Sequence, residues 1–221
     1  MDRTLIHRTL ILGASGGIGA ALLGATGGVG VSRRETGLEL SDEASLARVA
    51  AGLEGPFTTI IDATGALEID GVPPEKAIAQ IQPDNMARHF AVNAIGTALI
   101  LKHFSPLLPR KGRCVFASLS ARVGSIGDNR LGGWISYRAA KAAQNQIIHT
   151  AAIEIARGRP DAAVVAIHPG TVRTSLTERY AKGHATVAPA EAAENILTVL
   201  RALTPADTGR FFAWDGQEIS W

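Results

Sequence analysis

The chain has 221 residues, 46% of them apolar, enough to bury the core of one large α/β domain. Twenty-two basic residues against twenty acidic ones leave a formal charge of +2, which gives no electrostatic case for binding nucleic acid or an anionic membrane. A lone cysteine, Cys114, excludes an internal disulfide and a cysteine-built metal site, so no metal is expected.

The opening residues, Met1-Asp2-Arg3-Thr4-Leu5-Ile6-His7-Arg8, lack a basic region followed by a long apolar stretch and a small-residue cleavage site. No run of about 18 apolar residues offers a membrane span. A soluble, cytoplasmic protein is therefore expected. The first predicted strand is Thr9-Leu10-Ile11-Leu12, which stops at Gly13, and Val29-Gly30-Val31-Ser32 is the second. Residues 41–53 read as a helix capped by Ser41, with acidic residues in its first turn. Phe57-Thr58-Thr59-Ile60-Ile61 follows a Gly-Pro turn as another strand. Residues 83–108 read as one long helix, with Met86, Phe90, Val92, Ile95, Leu99 and Ile100 as its apolar positions. The run 113–117 is a strand in which Cys114 is a small buried hydrophobe. An Ala-rich helix is expected over 137–156, a strand over 163–167, and a helix over 189–203 that opens on Pro-Ala-Glu. The strand runs are continuously apolar, as in parallel sheets covered on both faces. Strand-helix alternation then predicts one α/β domain over 1–221, a doubly wound Rossmann-type fold with a parallel sheet flanked by helices.

Gly13-Ala14-Ser15-Gly16-Gly17-Ile18-Gly19 follows the first strand and opens a helix. Such a loop lets backbone approach a dinucleotide's phosphates, and the helix start supplies free N–H groups and partial positive charge. Gly13, Ser15, Gly16, Gly17, Ile18 and Gly19 are the candidate cofactor contacts. An acidic residue ending the second strand would grip the ribose hydroxyls of NAD. Here Ser32-Arg33-Arg34 stands there instead. A guanidinium can pair with a 2′-phosphate, so Arg33 first and Arg34 second favour NADP over NAD. A solvated basic turn is the alternative.

Tyr137 and Lys141 lie four apart at the start of a predicted helix, on one face and one turn apart. An ammonium near a phenol favours the phenolate and lowers the tyrosine pKa. Tyr137 then becomes a proton donor for carbonyl reduction, or an acceptor in reverse.

The Gly-x-x-x-Gly-x-Gly loop and the Tyr-x-x-x-Lys pair together resemble the short-chain dehydrogenase/reductase family over nearly the whole chain. The segment from Ser120-Ala121-Arg122-Val123-Gly124-Ser125-Ile126 to Gly132-Gly133-Trp134 is similar to its sniffer/C-factor carbonyl reductases, as is the ending from Trp214-Asp215-Gly216 to Trp221. The resemblance implies an NADP-dependent oxidoreductase acting on a small carbonyl or alcohol, assembled as a homodimer or homotetramer. It implies that Lys141 also holds the nicotinamide ribose and that Asn93 holds a relay water. It places Ala63, Thr64 and Gly65 in the turn after the family's fourth strand. Pro169, Gly170, Val172 and Thr174 follow its sixth, with Val172 and Thr174 at the nicotinamide carboxamide, and Glu39-Leu40 lies at the adenine. Ser120 is preferred as the catalytic serine, with Ser118 as the alternative. A non-catalytic dinucleotide sensor and an isomerase or dehydratase on the same scaffold are rival readings.

Two departures stand out. Only residues 20–28 separate the glycine loop from the second strand. A helix returning along a five-residue strand must span roughly 16 Å, about 11 residues. Residues 20–26 give a short helix, with Gly27-Gly28 extended to close the gap, which puts the Arg33 assignment in question. The lid over 175–187 is also brief, with Leu176 and Tyr180 as the expected substrate contacts.

Overall fold

The computed structural model describes residues 8–174, 177, 179–180 and 185–221. Its strands are β1 (Thr9–Leu12), β2 (Val29–Val31), β3 (Thr59–Asp62), β4 (Cys114–Leu119), β5 (Ala162–His168) and β6 (Phe211–Ala213). They form one sheet in the order β2-β1-β3-β4-β5-β6, and every neighbouring pair is parallel. Alternate residues feed two separate cores. Leu10, Leu12, Ile60, Phe116 and Val164 face one layer, and Ile11, Ile61, Val115, Val165 and Ile167 face the other. Both faces are covered, which is why the strand sequences carry no polar alternation.

The helices are α1 (Gly17–Thr26), α2 (Arg33–Thr36), α3 (Glu43–Ala51), α4 (Pro83–Phe90), α5 (Gly96–Phe104), α6 (Ile135–Gly158) and α7 (Pro189–Ala202). Leu46 of α3, Ile100 and Phe104 of α5 and Ile148 of α6 fill the first layer. Leu22 of α1 and Ile196 and Leu200 of α7 fill the second. Among the described residues no helix is long and apolar enough to cross a membrane.

Several expectations are corrected. The first helix is not short: α1 starts at Gly17, inside the glycine loop, and has 10 residues. It also has only the three residues of β2 to return along. Gly27 is not extended but left-handed, at φ 61°, and its N–H closes the helix on the Leu23 carbonyl. Arg33 therefore keeps its expected place after β2. Asp42, not Ser41, caps α3, because its Oδ1 accepts from the Ala44 N–H at 3.0 Å while the Ser41 hydroxyl donates to Glu39. The helix expected over 83–108 is interrupted by a π turn, Ala91–Ile95, and ends in a 3₁₀ turn at Ser105–Leu107, where Pro106 breaks the pattern. Between β2 and β3 only helices and turns occur, so the family's fourth, fifth and sixth strands are β3, β4 and β5 here. The short β6 was not foreseen.

Arg113 precedes β4 and closes the far end of α7. Its Nη2 donates to the carbonyls of Leu200, Arg201 and Leu203 at 2.9, 2.9 and 2.7 Å, and its Nε donates to Leu203 at 3.0 Å. Those helix-end carbonyls have no partner within the helix. We expect Arg113→Ala to lower stability by about 2–3 kcal/mol, the range for charge-assisted bonds to buried groups. Urea melts would measure it, and a loss under about 0.5 kcal/mol, typical of a plain surface change, would refute this capping role.

Candidate active site

Strands β1, β3, β4 and β5 end at one edge of the sheet, so the loops that follow them meet there, as expected for an open parallel sheet. After β1, the N–H groups of Gly13 and Ala14 both donate to the Val31 carbonyl, at 2.9 and 3.1 Å. Gly13 sits at φ +82°, and a Cβ there would lie 2.9 Å from the Ala63 carbonyl oxygen. A Cβ on Gly17 would meet Thr174 Cγ2 at 2.6 Å, so the glycine loop presses on the loops after β3 and β5. Gly16 precedes α1 without a side-chain cap, and the first turn holds no acidic residue. This leaves the positive end of α1 open to an anion.

Ser32 caps α2, accepting from the Glu35 N–H at 3.3 Å. Arg33 follows with its side chain 82% exposed, and its only ion pair among the described residues is with Glu39 at 4.0 Å. Arg34 is exposed beside it. Leu40 is half-buried and packs toward Gly96, where a Cβ on the glycine would be 3.1 Å from that of Leu40.

A cavity of about 440 Å³ opens at the junction of these loops. Its walls bring together Ile18, Ala63, Thr64, Gly65, Ser120, Tyr137, Lys141, Pro169, Gly170, Val172 and Thr174. Gly13, Ser15, Gly16, Gly17, Gly19, Arg33, Arg34, Glu39, Leu40 and Asn93 do not line it. Leu67, Val123, Leu131 and Trp134 add an apolar wall that the sequence did not point to. Tyr180 lines the cavity as expected, edge-on to Trp134 at 5.4 Å, with its hydroxyl donating to Glu68 at 2.5 Å. Burial and that bond push the Tyr180 phenol up to about 12. Leu176 lies outside the described residues.

The two serines have different surroundings. The Ser118 hydroxyl is fully buried and donates to Asp62 Oδ2 at 2.6 Å. Ser120 lines the cavity and donates to Asn145 Oδ1 at 2.6 Å. Asn145 lies one turn beyond Lys141 on α6, and its buried Nδ2 has no hydrogen-bond partner among the described residues. Rotating that amide by half a turn lets Nδ2 donate to Ser120. The hydroxyl proton is then free to turn into the cavity. Asn145 was not foreseen, although its spacing from Lys141 was visible.

Tyr137 departs from the sequence-based expectation. Burial raises its phenol well above the ordinary value. The Lys141 Nζ stands 5.8 Å from the ring centroid and donates instead to the Leu119 carbonyl at 3.2 Å and Gln144 Oε1 at 2.8 Å. Desolvation thus outweighs the ammonium, and the proton stays on Tyr137. Burial also pulls the Lys141 ammonium down to about 8, opposed by the charge of Asp62. His168, at the end of β5, is drawn down to about 4 by burial, then by Arg122, and is neutral.

Asn93 sits in the π turn and is buried. Its Oδ1 accepts from the Ala66 N–H and its Nδ2 donates to the Ala66 carbonyl, both at 2.9 Å. The side chain therefore pins the loop after β3, rather than reaching the cavity wall. A second unforeseen residue is Glu75. The start of α6 has no cap of its own, and Trp134 before it is left-handed at φ 53°. The buried Glu75 carboxylate accepts from the Ser136 hydroxyl and from the Ser136 N–H at 3.3 Å. Burial pushes that carboxyl up, but the Ser136 bonds and others hold it below the usual range. Glu75 lies in an irregular segment far from α6 in sequence, so no local pattern marks it.

Residues 29–215 match the family model described as enoyl-(acyl carrier protein) reductase. A 1-hydroxy-2-glutathionyl-2-methyl-3-butene dehydrogenase of Rhodococcus sp. (strain AD45) is 29% identical over 85% of this chain and 80% of its own. The C-signal protein of Myxococcus xanthus is 31% identical over 66% of this chain and 84% of its own. Among solved structures, an NADPH-bound carbonyl reductase from chicken fatty liver superposes with a TM-score of 0.80 at 23% identity, over 97% of this chain and 98% of that one. The carbonyl reductase Sniffer of D. melanogaster gives 0.81 at 19% identity, over 97% and 99%.

Proposed function

Because this chain belongs to the short-chain dehydrogenase/reductase family of oxidoreductases, we propose that it is an NADPH-dependent reductase of small carbonyl compounds, or the alcohol dehydrogenase in reverse. The observation that carries this reading is that Ser120, Tyr137 and Lys141 line one cavity together with Ile18 of the glycine loop. The carbonyl reductases and the dehydrogenase named above support it.

The residues present fit a phosphorylated dinucleotide. The open start of α1 and the loop from Gly13 to Gly19 suit the pyrophosphate. Exposed Arg33, with Arg34 beside it, suits a 2′-phosphate. Thr64, Gly65, Val172 and Thr174 would flank the nicotinamide end. When bound, the nicotinamide supplies or takes up the hydride. Tyr137 gives its phenolic proton to the carbonyl oxygen. Ser120 donates a hydrogen bond to that same oxygen. Lys141 stabilises the phenolate that remains, at close range in a buried site. Leu67, Val123 and Trp134 keep water from the reacting carbon.

The glycine loop opens a 10-residue α1, so a shortened first helix no longer speaks for a non-catalytic sensor. Arg33→Ala is expected to weaken NADPH binding by about 10- to 100-fold, the worth of one charge-assisted bond. NADH binding should be unchanged. Titration of nucleotide fluorescence measures both, and equal NADPH affinity in the variant would remove Arg33 from the site. NADPH consumption with a panel of small ketones and aldehydes tests the reaction. Tight binding with no turnover on any of them would overturn the reductase reading in favour of a sensor.

A further inference from the structure

Behind the cavity, a chain of buried side chains runs from Lys141 to the end of β3. Lys141 Nζ donates to Gln144 Oε1 at 2.8 Å. Gln144 Nε2 donates to Ser118 Oγ at 2.9 Å. Ser118 Oγ donates to Asp62 Oδ2 at 2.6 Å. The Thr64 N–H and hydroxyl, at 3.0 and 2.5 Å, both donate to Asp62 Oδ1. Every donor in the chain points toward Asp62, so the amide and hydroxyl dipoles are aligned head to tail between the cation and the carboxylate. Asp62, Ser118, Lys141 and Gln144 are each no more than 4% exposed. Charges and dipoles act strongly at such low dielectric.

We propose that Asp62 is the counter-charge of Lys141, carried to it through Ser118 and Gln144, and that Asp62 and Gln144 are positioning residues for the proton transfer from Tyr137 at this site. The proposal rests on the catalytic reading of Lys141 given above. Gln144 fixes where the ammonium points. Asp62 keeps it charged, since a lone ammonium in this environment would shed its proton. The amide cannot pass a proton along, so the influence is electrostatic and not a proton wire. The relay also accounts for Ser118, whose hydroxyl is committed to Asp62. Of the groups that face Lys141, Tyr137 on its own helix is the second titratable one, its ring 5.8 Å away. Gly65 after β3 and Gly124 in the turn packed against α6 bring no charge close to it. Arg122, in that same turn, is paired with Asp128 at 3.0 Å.

The test is an NMR titration of ¹³Cε-labelled lysine in the full chain, with the Lys141 signal assigned by its loss in Lys141→Arg. Asp62→Asn and Gln144→Leu are each expected to lower the Lys141 midpoint by about one pH unit or more, as when a close opposite charge is removed. The alkaline limb of NADPH-dependent reduction should move down by the same amount, which a merely structural defect would not produce. A Lys141 midpoint unchanged in both variants overturns the relay. If Asp62→Asn fails to fold, Ser118→Ala and Gln144→Leu cut the same chain elsewhere and decide it. A shifted midpoint in a protein that never consumes NADPH supports the relay and refutes the reductase. Turnover with an unmoved midpoint refutes the relay alone.

Discussion

Tyr137→Phe is expected to reduce NADPH-dependent carbonyl reduction by about 10³-fold, within the range for removing a general acid, while NADPH binding stays within about twofold of wild type. The expectation follows from the position of the phenol. It is buried in the cavity wall with its proton retained, beside Ser120 and Lys141. Phenylalanine keeps the ring contacts with His89 and Trp134, at 5.9 and 6.3 Å, so the start of α6 should hold its shape. Steady-state kinetics and nucleotide fluorescence together measure the effect. A loss of less than about tenfold would mean that the proton comes from elsewhere. The pH profile has a defined sign. Burial lowers Lys141 to about 8, so above that pH the ammonium is lost and reduction should fall, while Tyr137 remains protonated.

Gly19→Ala should have the second large effect, on binding and stability together. A Cβ there would lie 2.2 Å from the carbonyl oxygen of Gly13, 2.8 Å from its carbon and 3.2 Å from the Ala14 Cα. These are backbone atoms of the turn that opens α1, so they cannot rotate away as a side chain would. The turn must move, at a cost of about 1–3 kcal/mol typical of overpacking, and NADPH affinity should fall with it. Gly24→Ala, in the same helix, is the control, because its Cβ would meet nothing within 4 Å. It should gain about 0.5–1 kcal/mol of stability from helix propensity. Equal stability and NADPH affinity in Gly19→Ala and Gly24→Ala would refute the tight-turn account.

The parallel sheet and its flanking helices were legible because continuously apolar strands and Ala-rich helices have distinct periods. Five strands were found within one or two residues of their observed ends. The three-residue β6 lacks enough length for any period to register. The first helix was misjudged because its start was set after the glycine motif, although Gly17 is already helical. The long helix over 83–108 concealed a π turn, since an interruption of one turn leaves the apolar spacing on either side intact. Of the candidate site residues carried by local motifs, Ile18, Tyr137, Lys141 and the segment after β5 line the cavity, whereas the glycines of the first loop do not. Asn145, Gln144 and Glu75 were not foreseen, because their partners are set by tertiary packing across 25, 26 and 61 positions of chain respectively. The direction of the Tyr137 shift was also misread, since the sequence shows which charges are near in register but not how deeply a phenol is buried.

Glu75 ties a wall of the cavity to the start of α6. It belongs to the segment between β3 and α4 and caps α6 next to Tyr137. Leu67, in that same segment, lines the cavity. If Tyr137 is the proton donor proposed above, a molecule that shifts this segment is expected to disturb its anchor as well. Thermodynamic linkage makes this coupling reciprocal. On that reading, substrates that leave the segment in its resting place keep Tyr137 in register. Ill-fitting ones are then expected to lower their own turnover, so that selectivity would come from misalignment after binding as well as from exclusion at the cavity mouth.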